Sequence, residues 1–128
     1  MKINVIDLFA GCGGLTEGFL NTGKYQTLAA VDWEFPTVQT LKKRLATKWN
    51  YNSTQENIIY FDIQRTEELK KGFNDPVYGE NRGLDKIIGN KKVELIIGGP
   101  PCQAYSIAGR VRDKDGMQND YRNFLFDL

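Results

Sequence analysis

The chain of 128 residues is long enough for one domain with a single hydrophobic core. Its contents of 41% hydrophobic and 26% charged residues are typical of a soluble globular protein, and no apolar run could span a membrane, so we expect a cytoplasmic protein. Two cysteines and no histidine exclude the usual zinc-binding spacings, and we expect no metal site. A net charge of +1 does not by itself indicate a nucleic-acid binder.

The first predicted element is a strand that runs directly into a glycine turn. Ile3–Leu8 is apolar and rich in β-branched residues, and Phe9–Gly13 follows it. Apolar residues at helical spacing then predict a helix that ends before Gly23. A strand, a glycine turn and a helix in this order allow a nucleotide-like ligand to approach the backbone, but a purely structural turn explains the same residues nearly as well.

The second predicted strand, Thr27–Val31, ends at Asp32 and Trp33. A carboxylate about twenty residues beyond a glycine turn suits the hydroxyls of a ribose, and an adjacent tryptophan suits stacking on an adenine. Two alternatives remain open. Asp32 can instead be the charge at the N-terminus of the helix predicted around Pro36, and Trp33 can be an ordinary core aromatic residue.

The third predicted strand, Asn57–Phe61, is followed by Asp62. This carboxylate can accept a hydrogen bond from an exocyclic amine, or it can cap the helix that begins near Thr66. The region around 73–92 is rich in turn residues, with a short helix predicted at Leu84–Ile88. We interpret this region as a peripheral insertion without chemistry of its own.

The fourth predicted strand, Val93–Ile97, is followed by two glycines, two prolines and Cys102. The prolines favour a stiff, non-helical turn that presents the cysteine beyond the carboxyl end of the strand. In open α/β sheets this edge is where ligands bind. Taken alone, the cysteine is equally a nucleophile or a small buried filler. The glycine turn, both acids and the cysteine fall at one edge of the predicted sheet, which favours a site.

These segments resemble the signature motifs of the cytosine-5 DNA methyltransferases. Asp7–Gly14 resembles the family's first motif and Gly99–Ser106 its catalytic motif, while Asp32-Trp33, Asp62-Ile63 and Asp120–Phe126 look like the second, the third and the start of the fifth. The family's Glu-Asn-Val motif, later arginine motif, target-recognition region and final motif have no counterpart in the chain. We therefore expect residues 1–128 to be the N-terminal part of a catalytic, cofactor-binding domain.

The resemblance implies a Rossmann-like α/β fold with a mostly parallel sheet, helices on both faces, and the four predicted strands in the spatial order 3-2-1-4. It also implies S-adenosylmethionine as cofactor and double-stranded DNA as substrate. In the reaction that the resemblance implies, the Cys102 thiolate adds to carbon-6 of a flipped-out cytosine, so that carbon-5 can accept the methyl group.

The site residues that the resemblance implies fall into three groups. The catalytic group is Cys102 with Pro101 and Gln103, and the DNA-binding group is Ser106, Arg110 and Arg112. The cofactor-binding group is Phe9, Ala10, Gly11, Cys12, Gly13, Asp32, Trp33, Asp62, Ile63, Pro100 and Leu125.

Two other functions remain open at the level of the sequence. One is an RNA (tRNA) cytosine-5 methyltransferase of the same fold, and the other is a non-catalytic cofactor-binding fragment. Because the Glu-Asn-Val motif is missing, we expect the 128-residue chain to be inactive by itself. A cognate restriction endonuclease would be a functional rather than a physical partner, and the sequence does not identify one.

Overall fold

A computed structural model describes residues 1–99 of the chain, and a four-stranded parallel sheet forms the centre of this part. The elements in chain order are β1 (Ile3–Leu8), α1 (Gly14–Leu20), β2 (Tyr25–Asp32), α2 (Phe35–Lys48), α3 (Thr54–Asn57), β3 (Ile58–Tyr60), α4 (Thr66–Lys71), β4 (Phe73–Asp75), β5 (Gly79–Asn81), α5 (Leu84–Ile88) and β6 (Leu95–Gly98). The strand order of the sheet is β3-β2-β1-β6, with all neighbours parallel.

This order confirms the predicted 3-2-1-4 arrangement, with β6 as the fourth strand. The central strand β1 pairs with β2 on one side and with β6 on the other, so that Leu8 lies opposite both Val31 and Gly98. The reversal of strand order therefore falls between β1 and β6, which is where an open α/β sheet forms its ligand crevice.

Both faces of the sheet are covered at β2. Residues 28 to 31 are all buried although successive side chains of a strand point to opposite faces, which explains why this strand is apolar without alternation. On one face, α2 buries Val38, Leu41 and Leu45 completely, as its helical spacing predicts. The helix α5 also contacts β2. The observed architecture is the Rossmann-like α/β fold that the sequence predicts.

The helix α1 is also tied to α2 through an ion pair at the surface. The guanidinium of Arg44 donates from Nε and Nη2 to the two carboxylate oxygens of Glu17, at 2.5 and 2.8 Å. The hydrogen bonds and the nearby Arg44 charge hold the pKa of Glu17 below its ordinary value. This contact holds the first helix after the glycine turn against the second.

The bounds of the elements differ from the sequence predictions at three strands. The second strand is longer than predicted by two residues before Thr27 and one after Val31. The third is shorter, because Asn57 ends the short helix α3, which the sequence analysis did not predict. The fourth begins at Leu95 and includes Gly98, so the chain leaves the sheet one residue later than predicted.

The predicted insertion contains a β-hairpin in addition to the predicted helix α5. The strands β4 and β5 are antiparallel, and the carboxylate of Asp75 accepts hydrogen bonds from the backbone amides of Val77 and Tyr78 in the turn between them. Phe73 stacks on Phe61 at a ring-centroid distance of 3.9 Å, and Arg65 bridges Asp75 to α4. The hairpin is therefore packed against the end of β3.

Among residues 1–99, no helix has both the length and the apolar character needed to cross a membrane.

Candidate cofactor-binding site

Three segments that the sequence analysis assigns to the site meet at the carboxyl edge of the sheet. The amide of Ala10, in the glycine turn after β1, donates to the carbonyl of Val31 at 2.9 Å, directly before Asp32. The amide of Phe61, directly before Asp62, donates to the carbonyl of Asp32 at 3.1 Å. The glycine turn, Asp32 and Asp62 are thus neighbours at the carboxyl ends of three adjacent strands.

The glycine turn has a backbone that most residue types adopt only with strain. Gly11 and Gly13 have φ values of 56° and 95°, and Phe9 has φ 60° without being glycine. A Cβ at Gly13 would lie 2.5 Å from Cδ1 of the buried Leu41, whereas a Cβ at Gly11 would meet no atom of the described residues within 4 Å. The turn therefore packs closely against α2 at Gly13, whereas at Gly11 it has no close neighbour among residues 1–99.

A buried carboxylate lies directly beneath this turn. Asp7 is 1% exposed, and its Oδ2 accepts a hydrogen bond from the hydroxyl of Thr16, which is equally buried. Its Oδ1 has no hydrogen-bond partner among the described residues. Burial raises the pKa of Asp7 to about 6; the hydrogen bond from Thr16 opposes this rise and the charge of Asp32 adds to it.

Asp32 lies at the N-terminus of α2, which agrees with the interpretation that its charge belongs to that end of the helix. Its Oδ2 accepts hydrogen bonds from the amide of Glu34 at 3.2 Å and from the hydroxyl of Thr37 at 2.8 Å. Both of these bonds end on the same oxygen, and the side chain is only half-buried. A structural role for Oδ2 is therefore compatible with a ligand role for the other oxygen. Trp33 is also half-buried.

Asp62 forms a turn rather than a helix cap. Its Oδ1 accepts a hydrogen bond from the amide of Gln64 at 2.9 Å, while the N-cap position of α4 is occupied by Arg65. Ile63 is buried beside it. The capping alternative for Asp62 is therefore wrong, and the carboxylate stands at the sheet edge on a fixed turn.

The hairpin brings Tyr78 close to this second acid. The ring of Tyr78 lies 4.7 Å from the ring of Tyr60, and burial, followed by the charge of Asp62, raises the pKa of Tyr78. Phe35 also packs edge-on against Tyr60, with a ring-centroid distance of 5.4 Å, and is more than half exposed. The insertion thus extends the sheet edge with an aromatic cluster, which the sequence analysis did not predict.

Several predicted site residues lie outside the described residues, and their positions stay predictions. They are Pro100, Pro101, Cys102, Gln103, Ser106, Arg110, Arg112 and Leu125. Of the two cysteines, Cys12 in the glycine turn is an exposed free thiol. No group of three or more His, Cys, Asp or Glu side chains within residues 1–99 is arranged to hold a metal ion.

The sequence analysis assigned no role to Asp7 or Thr16. The sequence did contain an indication of a role for Asp7. It is the single acid inside the strongly apolar strand β1, and a buried carboxylate requires a partner. Its partner follows nine residues later, across the glycine turn, at a spacing that no helical or strand period indicates.

A parallel sheet with this strand order, a glycine turn after its first strand and acids after the next two defines an α/β protein of the Rossmann-like class. The family model described as C-5 cytosine-specific DNA methylase matches residues 3–128. The chain therefore belongs to the C-5 cytosine-specific DNA methylase family.

Curated relatives agree with this assignment. The type II methyltransferase M.Bpa9945I of Bacillus paralicheniformis is 34% identical in an alignment that covers 95% of this chain and 36% of the relative. M.DdeI of Desulfomicrobium norvegicum is 34% identical, covering 97% of this chain and 23% of that protein. M.HgiGI of Herpetosiphon aurantiacus is 32% identical, covering 96% and 78%. The chain spans roughly a third or less of the first two relatives.

Proposed function

We propose that the protein acts in the transfer of a methyl group from S-adenosylmethionine to carbon-5 of cytosine in DNA. The observation that carries this proposal is the junction of the glycine turn, Asp32 and Asp62 at one sheet edge, in a chain that belongs to the cytosine-5 family. Relatives that are named type II methyltransferases support the reaction class.

The residues at the sheet edge fit S-adenosylmethionine on chemical grounds. The molecule carries an ammonium group and a sulfonium, so two neighbouring carboxylates, Asp7 and Asp32, provide a favourable electrostatic environment. The buried Oδ1 of Asp7 has no partner among the described residues, and a donor is normally required there. Among residues 1–99, nothing occupies the space into which a side chain at Gly11 would project.

Within this proposal the two half-buried acids, Asp32 and Asp62, have separate roles. Asp32 would bind the ribose hydroxyls, and Asp62 would accept a hydrogen bond from the adenine amine. Trp33 and Ile63 would contact the adenine, while the backbone of Phe9–Gly13, with Pro100 and Leu125, would line the remainder of the pocket. When bound, the cofactor supplies an electrophilic methyl group.

Cys102 is the nucleophile in the proposed reaction. Its thiolate forms a bond to carbon-6 of cytosine, and the electron pair of the 5,6 double bond moves to carbon-5, which becomes nucleophilic enough to take the methyl group. Loss of the carbon-5 proton then restores the double bond and expels the thiolate. Pro101 and Gln103 would hold the cysteine in place.

The base must leave the duplex before Cys102 can reach it. Ser106, Arg110 and Arg112 would contact the DNA around the extruded nucleotide, the two arginines through phosphate groups. Because the chain spans a minor part of several relatives, recognition of a particular DNA sequence would depend on residues other than these 128.

Covalent trapping tests the proposed nucleophile in the longest natural polypeptide that carries this sequence. With S-adenosylmethionine and mixed-sequence duplex DNA containing 5-fluorocytosine, the wild type should form a denaturation-resistant complex. Cys102→Ala should form none while its cofactor affinity stays within about twofold of wild type, because a small side chain is removed without disturbing the sheet edge.

Cys12→Ala removes the other cysteine and is the comparison for the thiol: because only the backbone of Cys12 is proposed to line the cofactor pocket, this variant should still form the covalent complex when the cofactor is saturating. An adduct in Cys102→Ala would show that the nucleophile is misassigned. Trapping of tRNA in preference to DNA would replace the proposed substrate with RNA.

A further inference from the structure

The turn between β1 and α1 is closed by a side-chain hydrogen bond that joins its two ends. Asp7 precedes the turn and Thr16, in the first turn of α1, follows it, so the bond spans the whole of Phe9–Gly13. Both side chains are 1% exposed. Water therefore has little access to replace either partner.

The enclosed turn needs such a restraint, because Phe9 lies at φ 60° and both Gly11 and Gly13 also have positive φ. A non-glycine residue in this region is strained, and such strain persists where the surroundings hold it in place. Within the turn, backbone bonds supply two further restraints: Ala10 donates to the Val31 carbonyl and Gly13 to the Ala10 carbonyl, at 2.9 and 3.0 Å.

We infer that Thr16 is a positioning residue: its hydrogen bond to Asp7 holds the glycine turn in the conformation that receives the cofactor. This inference rests on the proposed function, because the ligand that the glycine turn would receive is S-adenosylmethionine. Thr16 acts through Asp7 and through the backbone of the turn.

The bond also controls which part of Asp7 remains available. Thr16 occupies Oδ2, which leaves Oδ1 as the oxygen without a partner among the described residues. The charged group described near it from the neighbouring strand is Asp32, whose repulsion favours a protonated Asp7. By donating to the carboxylate, Thr16 opposes that effect and lowers the pKa of Asp7.

Amide hydrogen exchange in the full chain tests whether the bond restrains the turn. In Thr16→Val, which keeps the shape but removes the donor, the amides of Ala10 and Gly13 should exchange about tenfold faster or more than in the wild type. Thr16→Ser should restore slow exchange. The Val38 amide in α2 should stay unchanged, since a global loss of stability would accelerate all three.

Thr40→Val is the matched control, because Thr40 is an exposed helical threonine whose hydroxyl donates to the Pro36 carbonyl. It should leave the exchange of the turn amides unchanged. If Thr16→Val does not fold, Thr16→Ala removes the same donor with a smaller side chain. Unchanged exchange at Ala10 and Gly13 in a folded variant overturns the restraint.

Two further measurements separate positioning from a merely structural role. In an NMR titration of the side-chain carboxyl carbon, Asp7 should titrate at a higher pH in Thr16→Val than in the wild type and in Thr16→Ser. Calorimetry should show about tenfold weaker S-adenosylmethionine binding by Thr16→Val, with Thr16→Ser within about threefold of wild type.

The outcomes distinguish the two proposals. A wild type that binds no S-adenosylmethionine overturns the proposed function and the ligand half of this inference, while exchange and titration still decide the restraint. Equal S-adenosylmethionine affinities of the wild type and Thr16→Val overturn the positioning role alone.

Discussion

Asp7 is an acid that becomes less acidic when the protein folds. Burial raises its pKa from 3.8 to about 6, so the native state holds the proton more tightly than the unfolded chain. The contribution of Asp7 to the free energy of unfolding is therefore most favourable below about pH 4. It falls as the pH rises through 6, and above about pH 7 the ionised group lowers stability by on the order of 3 kcal/mol. At neutral pH the ionised Asp7 therefore makes the folded protein less stable, and residues that reduce stability in this way are common at binding sites.

Asp7→Asn should remove this pH dependence, because the amide keeps the shape of the side chain and does not ionise. Relative to the wild type, the variant should gain up to a few kcal/mol of unfolding free energy at pH 7.5 and clearly less at pH 4.5. Denaturant unfolding at the two pH values measures the difference. Asp85→Asn, at an exposed position of α5, is the control and should change little. An equal effect of Asp7→Asn at both pH values would contradict the assigned cause.

At the scale of elements, the pairing of β1 with β6 depends on one glycine. Gly98 lies opposite Leu8, and a Cβ there would be 2.3 Å from the Leu8 carbonyl oxygen. Backbone atoms cannot move away without breaking the register of the two strands. Gly98 also precedes the predicted catalytic turn, so the exit of the chain from β6 and the ligand edge of β1 are fixed by the same contact.

Gly98→Ala should destabilise the protein by about 1–3 kcal/mol, because the added methyl group overlaps the backbone of β1. The neighbouring Gly99→Ala is the matched control: its Cβ would meet no atom of residues 1–99 within 4 Å, and its effect should stay within about 0.5 kcal/mol. Thermal or denaturant unfolding of both variants gives the comparison. Equal stability of the two variants would mean that β1 and β6 can move apart at Gly98 without loss of stability, which would contradict the prediction.

The length of each element explains which of them could be predicted. The apolar strand β1 and the amphipathic helix α2 have enough residues to establish a period, and both were predicted closely. The helix α3 and the hairpin strands have three or four residues each, which is too few to establish a period. The hairpin is held instead by Phe73 and Tyr78, whose rings pack on Phe61 at the end of β3. Such tertiary contacts leave no periodic pattern in the sequence.

The same limit applies to the candidate site. Asp32 and Asp62 could be placed at the sheet edge because each directly follows a predicted strand, and the structure has them at the last residue of β2 and two residues after β3. The pairing of Asp7 with Thr16 depends on the path of the glycine turn, and the proximity of Tyr78 to Asp62 depends on where the insertion folds back. Neither follows from spacing along the chain.

At the scale of the whole molecule, the chain contains the proposed nucleophile and acids of the cofactor site but no Glu-Asn-Val motif. In the family resemblance, that glutamate holds the target ring while the thiolate adds. Loss of one such preorganised contact commonly lowers the rate by a factor of about a hundred to a thousand. Residues that stabilise an extruded base are also needed before any chemistry can occur.

We therefore propose that the 128-residue chain by itself transfers no methyl group to DNA, although it can retain weak affinity for S-adenosylmethionine. Incubation with radiolabelled cofactor and mixed-sequence duplex DNA measures the transfer directly. Heat-denatured chain sets the background. Transfer above that background, abolished by Cys102→Ala, would show that residues 1–128 suffice for catalysis.

The position of β6 beside β1 also determines the order in which the sheet can form during synthesis. Asn4 and Glu94, which hydrogen-bond to each other beside these strands, are 90 positions apart along the chain. At ribosomal rates this separation corresponds to about 5–20 s, during which β1 can pair with β2 but not with its second neighbour. Contacts between distant parts of a chain also slow folding. The central strand of the sheet is therefore among the first segments made and receives its second neighbour late.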